Sequence, residues 1–130
     1  MLFRSNLFEG RVEQRSGGGA LIRVSPELSL EVDEMPASAT DAMISIRPES
    51  IIVERAGGNA APQQVNSVAA RVDQAIYRGF VSHYYLKTSG GEQIIVFEQN
   101  QSQQAGLRYT VGEEVVARWG SPSNHVIARH

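Results

Sequence analysis

The chain has 130 residues, 42% of them hydrophobic, and a formal net charge of −2. This is enough for one domain with its own core, or for two small lobes that share one. Its basic residues are few and scattered, which argues against a nucleic-acid partner, and no apolar stretch approaches the roughly 20 residues that span a bilayer. The absence of cysteine excludes disulfides and thiolate metal sites.

Short apolar runs, rich in β-branched residues and separated by turn signals, follow one another along the whole chain. Such runs at intervals of about 8–12 residues predict an all-β barrel or sandwich. The Gln-rich stretch 100–106 predicts a long loop. The predicted strands are 7–14, 20–24, 28–32, 42–47 and 51–54 in the first half, and 65–76, 81–88, 92–98, 114–119 and 125–129 in the second.

The two halves resemble each other. The segment that begins at Asn6 recurs 60 residues later at Asn66, and comparable turns, apolar runs and prolines follow in both halves. Self-similarity of this kind marks a unit that needs its copy to bury its apolar face. We therefore predict a first β repeat over 1–55, a linker over 56–64 and a second β repeat over 65–130, packed around one apolar interior.

The strand predicted over 81–88 can be assigned two faces, because successive side chains of a strand point in opposite directions. Its even-numbered positions are predicted to be buried, whereas His83, Tyr85 and Lys87 face outward. Gly79, just before the strand, suits a bulge or a sharp bend.

The motifs of common chemistry are missing. Lys87 and Thr88 lack the glycines of a phosphate-binding loop, and the three glycines at 17–19 suit a hairpin turn better. The histidines are too far apart in sequence for a metal motif, although His83 and His125 could still meet a carboxylate in the fold. No serine stands in a G-x-S-x-G elbow. We expect no enzyme activity and no catalytic, cofactor-binding or metal-binding residue.

The densest polar group is Arg47-Pro48-Glu49. Proline ends the strand there, because it lacks a backbone donor, and the two flanking charges are opposite. The simplest interpretation is a turn with a partly exposed ion pair, and the alternative is a contact point for another subunit.

Several segments together resemble a known module. They are Asn6…Gly10-Arg11-Val12, Ile46-Arg47-Pro48-Glu49-Ser50-Ile51, Asn66-Ser67…Val72…Ile76-Tyr77-Arg78-Gly79…Tyr84 and Val111-Gly112-Glu113-Glu114-Val115…Trp119. Their order and spacing resemble the TOBE (transport-associated OB) region at the C-terminal end of the ATP-binding subunits of bacterial importers, most closely those of the spermidine/putrescine type. Phe3 stands where the family usually has glycine, and no nucleotide-binding motif precedes the region.

The resemblance implies a pair of interlocked OB-like or MOP-like barrels that regulate and dimerise an importer ATPase. The chain would need no cofactor, since ATP and Mg would belong to a separate nucleotide-binding domain. Its partners would be a second copy, that domain and the membrane-embedded permease, at the cytoplasmic face of the membrane without direct insertion. Candidate interface residues are Arg47, Glu49, His83 and Tyr85.

Two rival functions stay open at this point. A barrel that senses an oxyanion or the transported solute would use Arg11, Arg47 and Arg71 as its cations. A binder of single-stranded nucleic acid would need aromatic and basic residues interleaved on one face, and only His83, Tyr85 and Lys87 come near that. The sequence leaves open which solute is transported, and whether strands exchange between lobes or between chains.

Overall fold

The computed structural model describes residues 6–56, 66–100 and 106–127. Within these ranges the regular structure is β-strand, apart from two short 3-10 turns, at Pro48–Ser50 and Ser121–Ser123. The strands are β1 (Asn6–Ser16), β2 (Gly19–Ser25), β3 (Leu28–Val32), β4 (Asp41–Ile46), β5 (Ile52–Arg55), β6 (Ser67–Tyr77), β7 (Val81–Thr88), β8 (Gln93–Gln99), β9 (Glu114–Arg118) and β10 (His125–Ile127).

The strands form two antiparallel sheets with matching strand orders. The first sheet runs β10-β4-β1-β2-β3 and the second β5-β9-β6-β7-β8. Strands β1 to β4 therefore correspond to β6 to β9, but the short fifth strand of each half is exchanged: β5 pairs with β9, and β10 pairs with β4. The all-β barrel prediction is confirmed, and the strands exchange between the two lobes of one chain.

One irregularity of the strands is repeated as well, although the register shift of β2 with β3 between Arg23 and Ser25 has no counterpart in β7 and β8. The pairing of β1 with β2 shifts register between Val12 and Gln14, and that of β6 with β7 shifts between Val72 and Gln74. A bulge bends a strand and increases its twist, so these matched bulges curl the two sheets alike. The bulge is therefore earlier in the strand than Gly79, and the other predicted alternative, a sharp bend, is what the structure shows: Gly79 lies in the β6–β7 turn, with φ near +80°.

The two sheets share one apolar core. Ile22, Leu30 and Ile44 of the first sheet belong to the same buried cluster as Leu86 and Val115 of the second. Neither half could bury this surface alone, since each supplies the strand that completes the other's sheet. The even-numbered residues of β7 are buried, His83 and Tyr85 are half-buried and Lys87 is exposed, which confirms the predicted faces.

Some predicted features fall outside the described residues. They are positions 57–64 of the proposed linker, 101–105 of the Gln-rich loop, and His130. In the part of the chain that is described, no helix is long and apolar enough to cross a membrane.

Candidate interaction surfaces

Asn6 binds an edge strand of the opposite sheet. Its side chain is buried, its Nδ2 donates to the carbonyl of Ile95 at 2.9 Å, and its Oδ1 accepts from the Ile95 amide at 2.6 Å. The amide group thus pairs with β8 as another strand residue would, and an edge that would otherwise be open is closed at this point.

Asn66 occupies the matching position in the second half. Its Oδ1 accepts from the Glu31 amide at 3.1 Å, while Asn124 Nδ2 donates to the Glu31 carbonyl at 2.7 Å and to Asn66 Oδ1 at 2.8 Å. Trp119 Nε1 donates to Asn124 Oδ1 at 2.8 Å. We call the Asn6 contact and the Asn66–Asn124 contact the two edge caps. The repeated asparagine was visible in the sequence, but its role was not predicted.

Arg47 and Glu49 flank the first 3-10 turn, whose Pro48 is buried. Both charged residues are exposed, and within the described residues neither forms an ion pair with the other or with a third side chain. The expected ion pair was therefore wrong, because both side chains leave the turn toward solvent. The turn itself packs against β8.

His83 and Tyr85 lie on one face of β7, the strand next to β8. The His83 ring stacks on Phe97, with ring centroids 4.1 Å apart and an interplanar angle of 22°. Burial, together with the positive charge of Arg78, lowers the pKa of His83 below its ordinary value. The turn that carries Arg47 and Glu49 and the strand that carries His83 and Tyr85 thus both adjoin β8, and the role of these four residues in an interface stays a prediction.

The tip of the β6–β7 hairpin exposes two aromatic residues. Phe80 is 80% exposed and Tyr77 is 42% exposed. Asn100 holds this tip through two hydrogen bonds of 2.7 Å. Its backbone amide donates to the Phe80 carbonyl, and its side-chain Nδ2 donates to the Gly79 carbonyl. Ser82 Oγ donates to Asn100 Oδ1 at 2.9 Å. We call residues 77–80 the aromatic tip. Sequence reasoning missed this surface, although bulky residues on both sides of a turn glycine were a signal for it.

The cations proposed for a sensor do not form one group. Arg71 lies directly opposite Lys87 and lines a cavity of about 420 Å³ in the second sheet, whereas Arg11 lies opposite Arg23 and lines a larger cleft on the first. Arg47 lines neither.

The two cationic pairs differ in their partners. Arg23 forms an ion pair with Glu13 at 3.2 Å and also donates to the Ser25 carbonyl. Neither Arg71 nor Lys87 forms an ion pair with any residue in the described ranges. Like charges directly opposite in a sheet repel each other, and in the second pair this repulsion is partly offset by Glu114, which lies opposite Arg71 on the neighbouring strand β9.

A metal site formed by His83 and His125 has no support in the fold. The two residues belong to strands of different sheets. Among the described residues, no group of three histidines or carboxylates is placed to hold a metal ion.

Known proteins resemble the chain in fold and in sequence. The cytoplasmic molybdate-binding protein ModG superposes with a TM-score of 0.74 over 97% of this chain and 96% of its own, at 12% sequence identity, which establishes similarity of fold alone. The spermidine/putrescine import ATP-binding protein PotA of Rubrobacter xylanophilus is 32% identical over 120 residues, and that of Thermobifida fusca 29% over 85.

The sequence matches cover most of this chain but only part of the relatives. The matched segments are 89% and 65% of this chain, and 29% and 21% of the two relatives. The family model for the TOBE domain matches residues 44–127, more than half of the chain and spanning the exchanged strands β5 and β10. The chain therefore belongs to the TOBE domain family.

Proposed function

We propose that this chain is the accessory domain of the ATP-binding subunit of a bacterial importer for polyamines or related small solutes. It has no chemistry of its own in this proposal: it pairs with a second copy and so holds two ATPase subunits together at the cytoplasmic face of the membrane. ATP and Mg bind the nucleotide-binding domain, and the membrane-embedded permease completes the complex. The observation that carries the proposal is the 32% identity with a spermidine/putrescine import ATP-binding protein over 89% of this chain.

The geometry supports a scaffold role. Exchanged strands and a shared core make the two lobes one body, and two edge caps close the sheets where they would otherwise offer open backbone groups. The described surface nevertheless keeps large apolar side chains exposed, among them Leu7, Ile52 and Phe80. Single exposed apolar residues are normal on a protein surface, so the pair that suggests a protein contact is Tyr77 and Phe80, which lie together at the aromatic tip.

Sedimentation equilibrium of the 130-residue chain tests the proposal. We expect dimers at micromolar concentration, because a two-fold contact presents the same surface on both copies. Addition of ATP and Mg should produce no phosphate release above the buffer rate. A chain that stays monomeric up to the highest soluble concentration would refute the pairing of two copies, and ATP hydrolysis that copurifies with the chain would refute the absence of chemistry.

A second candidate function is a sensor for small anions, favoured by one observation. The cations Arg71 and Lys87, which have no ion pair among the described residues, lie side by side at a cavity of about 420 Å³. Thr88 and Ser89 also line this cavity, and so do the carboxylates Asp73 and Glu114, so an anion would have to bind on its cationic side. A ligand at 100 times its Kd should stabilise the fold by about 2.7 kcal/mol. Thermal melts with sulfate and molybdate, and with spermidine as the oppositely charged probe, measure this effect.

The two cationic pairs supply the control for the sensor. An anion that raises the Tm of the wild type should lose its effect in the Arg71→Ala/Lys87→Ala variant and keep it in the Arg11→Ala/Arg23→Ala variant. No shift with any anion up to millimolar concentration would eliminate this second function.

A further inference from the structure

The aromatic tip exposes apolar surface that the fold itself does not require. The β1–β2 hairpin, at the same place in the repeat, has only glycines between Ser16 and Ala20. Because that hairpin closes without aromatic residues, Tyr77 and Phe80 are not needed to form the turn. Because Tyr77 and Phe80 are 42% and 80% exposed, the fold does not gain the hydrophobic stabilisation of burying them, and a partner that covers them would supply it.

The aromatic tip is also held in a fixed shape. The Arg78 amide donates to the Val81 carbonyl at 2.9 Å, and Asn100 holds both Gly79 and Phe80 through their carbonyls. An aromatic side chain on a preorganised backbone loses little conformational entropy on binding, and such residues dominate interface energies. The tip is therefore suited to insert into a concave surface.

A concave surface of suitable chemistry lies on the first sheet. The cleft measures about 1210 Å³, and its apolar lining includes Met35, Pro36, Ala39 and Ile127, the last being 42% exposed. Arg15 fixes the rim by donating to the Pro36 carbonyl at 3.1 Å. We call this cavity the first-sheet cleft.

The charge of the first-sheet cleft is complementary to that of the tip. Three carboxylates, Glu9, Glu13 and Asp41, line the cleft against two arginines, which leaves one net negative charge. Arg23 is already bound to Glu13, and Arg11 lies opposite Asp41 in the sheet without forming an ion pair with it. An adjoining cavity of about 680 Å³, which shares Met35 and Pro36, adds two further carboxylates, Asp33 and Glu34. The aromatic tip carries Arg78, which forms no ion pair with a described residue.

We propose that the aromatic tip of one copy docks in the first-sheet cleft of a second copy. Phe80 and Tyr77 pack on Pro36, Ala39 and Ile127, and Arg78 approaches the carboxylates near Asp41. A contact between two tips is disfavoured because it would bring two Arg78 side chains together. In a two-fold dimer this contact occurs twice, once in each direction. The inference rests on the pairing of copies proposed above and names the surfaces that meet.

Sedimentation of surface variants tests the role of the tip. Phe80→Ser should raise the dimer dissociation constant about tenfold or more, since truncation of a central aromatic anchor has effects of this size. Val111→Ser is the matched control, because Val111 is 65% exposed and lies outside both surfaces, and it should leave the constant unchanged. Thermal melts of both variants establish that they fold.

Cross-linking locates the contact, and because the chain has no native cysteine, only the introduced cysteines react. A chain with Arg78→Cys is mixed with a chain with Ser38→Cys, a substitution in the lining of the cleft, and treated with a short bismaleimide. We expect the mixed pair to cross-link faster than either variant alone. Val111→Cys replaces Arg78→Cys as the control, because Val111 is 65% exposed and lies outside both surfaces.

The outcomes separate this inference from the proposed function. A dimer that Phe80→Ser leaves intact, or a cross-link that forms mainly between two chains that both carry Arg78→Cys, overturns the tip-to-cleft contact and leaves the dimer standing. A wild type that never dimerises overturns both. A dimer that Phe80→Ser weakens, with a preferred mixed cross-link, supports both.

Discussion

The two lobes share a scaffold and differ in what they present to solvent. Strand order, the bulge in the first strand and the asparagine that opens each repeat are the same in both. The hairpin tips differ, glycines in one lobe and exposed aromatics in the other, and so do the cationic pairs, one bound to Glu13 and one without an ion pair in the described residues. Features that the fold requires are thus repeated, and features that occur once are free to serve a partner or a ligand.

The largest effect is expected where the lobes are most alike, at the edge caps. Asn66→Ala should leave an Asn124 donor without a partner in a buried site, which costs about 1–3 kcal/mol, and the part-buried Glu31 amide without its partner, which costs less. Asn66 also has φ near +60°, a conformation that costs alanine about 1–2 kcal/mol more. We expect the free energy of unfolding to fall by about 4 kcal/mol, measured by urea denaturation.

The two caps can be separated by matched variants. Asn6→Ala should cost about 1 kcal/mol less than Asn66→Ala, because residue 6 is not among the described positive-φ residues, although the Ile95 amide and carbonyl lose their partner. Asn66→Gly should recover the backbone part of the loss and not the hydrogen bonds. Equal losses for Asn66→Ala and Asn66→Gly would show that the backbone conformation plays no part.

Gly10 sharpens the comparison, because alanine stands at the matching position, Ala70. A Cβ on Gly10 would lie 2.6 Å from the Arg23 carbonyl oxygen, too close for any real contact. We expect Gly10→Ala to destabilise the fold by about 2 kcal/mol, whereas Ala70→Gly should cost about 1 kcal/mol or less. Thermal melts of both variants measure the difference, and a Gly10→Ala variant as stable as wild type would mean that β1 and β2 can separate locally at no cost.

Substitutions at Arg47 and Glu49 test whether features that occur in only one lobe form an interface. If Arg47 of one copy meets Glu49 of the other, reversal of either charge should weaken the dimer severalfold, and the double exchange Arg47→Glu/Glu49→Arg should restore it. Sedimentation equilibrium in low and moderate salt gives the dissociation constants. Asp73→Arg is the control for net charge, because Asp73 is exposed and lies outside the aromatic tip, the first-sheet cleft and the adjoining cavity. A dimer indifferent to both single reversals would exclude these residues from the contact.

The sequence predicted most of the scaffold, because strand periodicity, turn residues and the repeat are local signals. Strands β1 to β9 fall close to their predicted places, and the faces of β7 follow from parity. The exchange of β5 and β10 could not be predicted, since either sheet offers an equivalent edge to either strand. The Asn6 cap was missed for a similar reason: a bond between residues 89 positions apart leaves no local pattern.

The candidate site was harder to predict than the fold. Arg47 and Glu49 were found by their charge, but their expected ion pair was wrong, because adjacent opposite charges in a sequence say little about where a turn directs each side chain. The aromatic tip was missed because Tyr77 and Phe80 look like core residues until the hairpin is seen to extend beyond the barrel.

The smallest predicted effect is a pH dependence that only the second lobe has. In the second lobe His83 lies opposite Ile76. At the equivalent position of the first lobe Gly19 lies opposite Ser16, so that lobe has no histidine there. Burial and the charge of Arg78 lower the pKa of His83, so the folded state binds this proton less readily than the unfolded state, whose histidine titrates near pH 6.5. Stability should therefore fall as pH drops through about 6.5, level off below the folded pKa, and be unaffected by this residue at higher pH. Urea midpoints between about pH 5 and 8 measure the slope, and His83→Gln should flatten it. A slope that persists in His83→Gln would assign the pH dependence to other groups and leave the two lobes electrostatically alike in this respect.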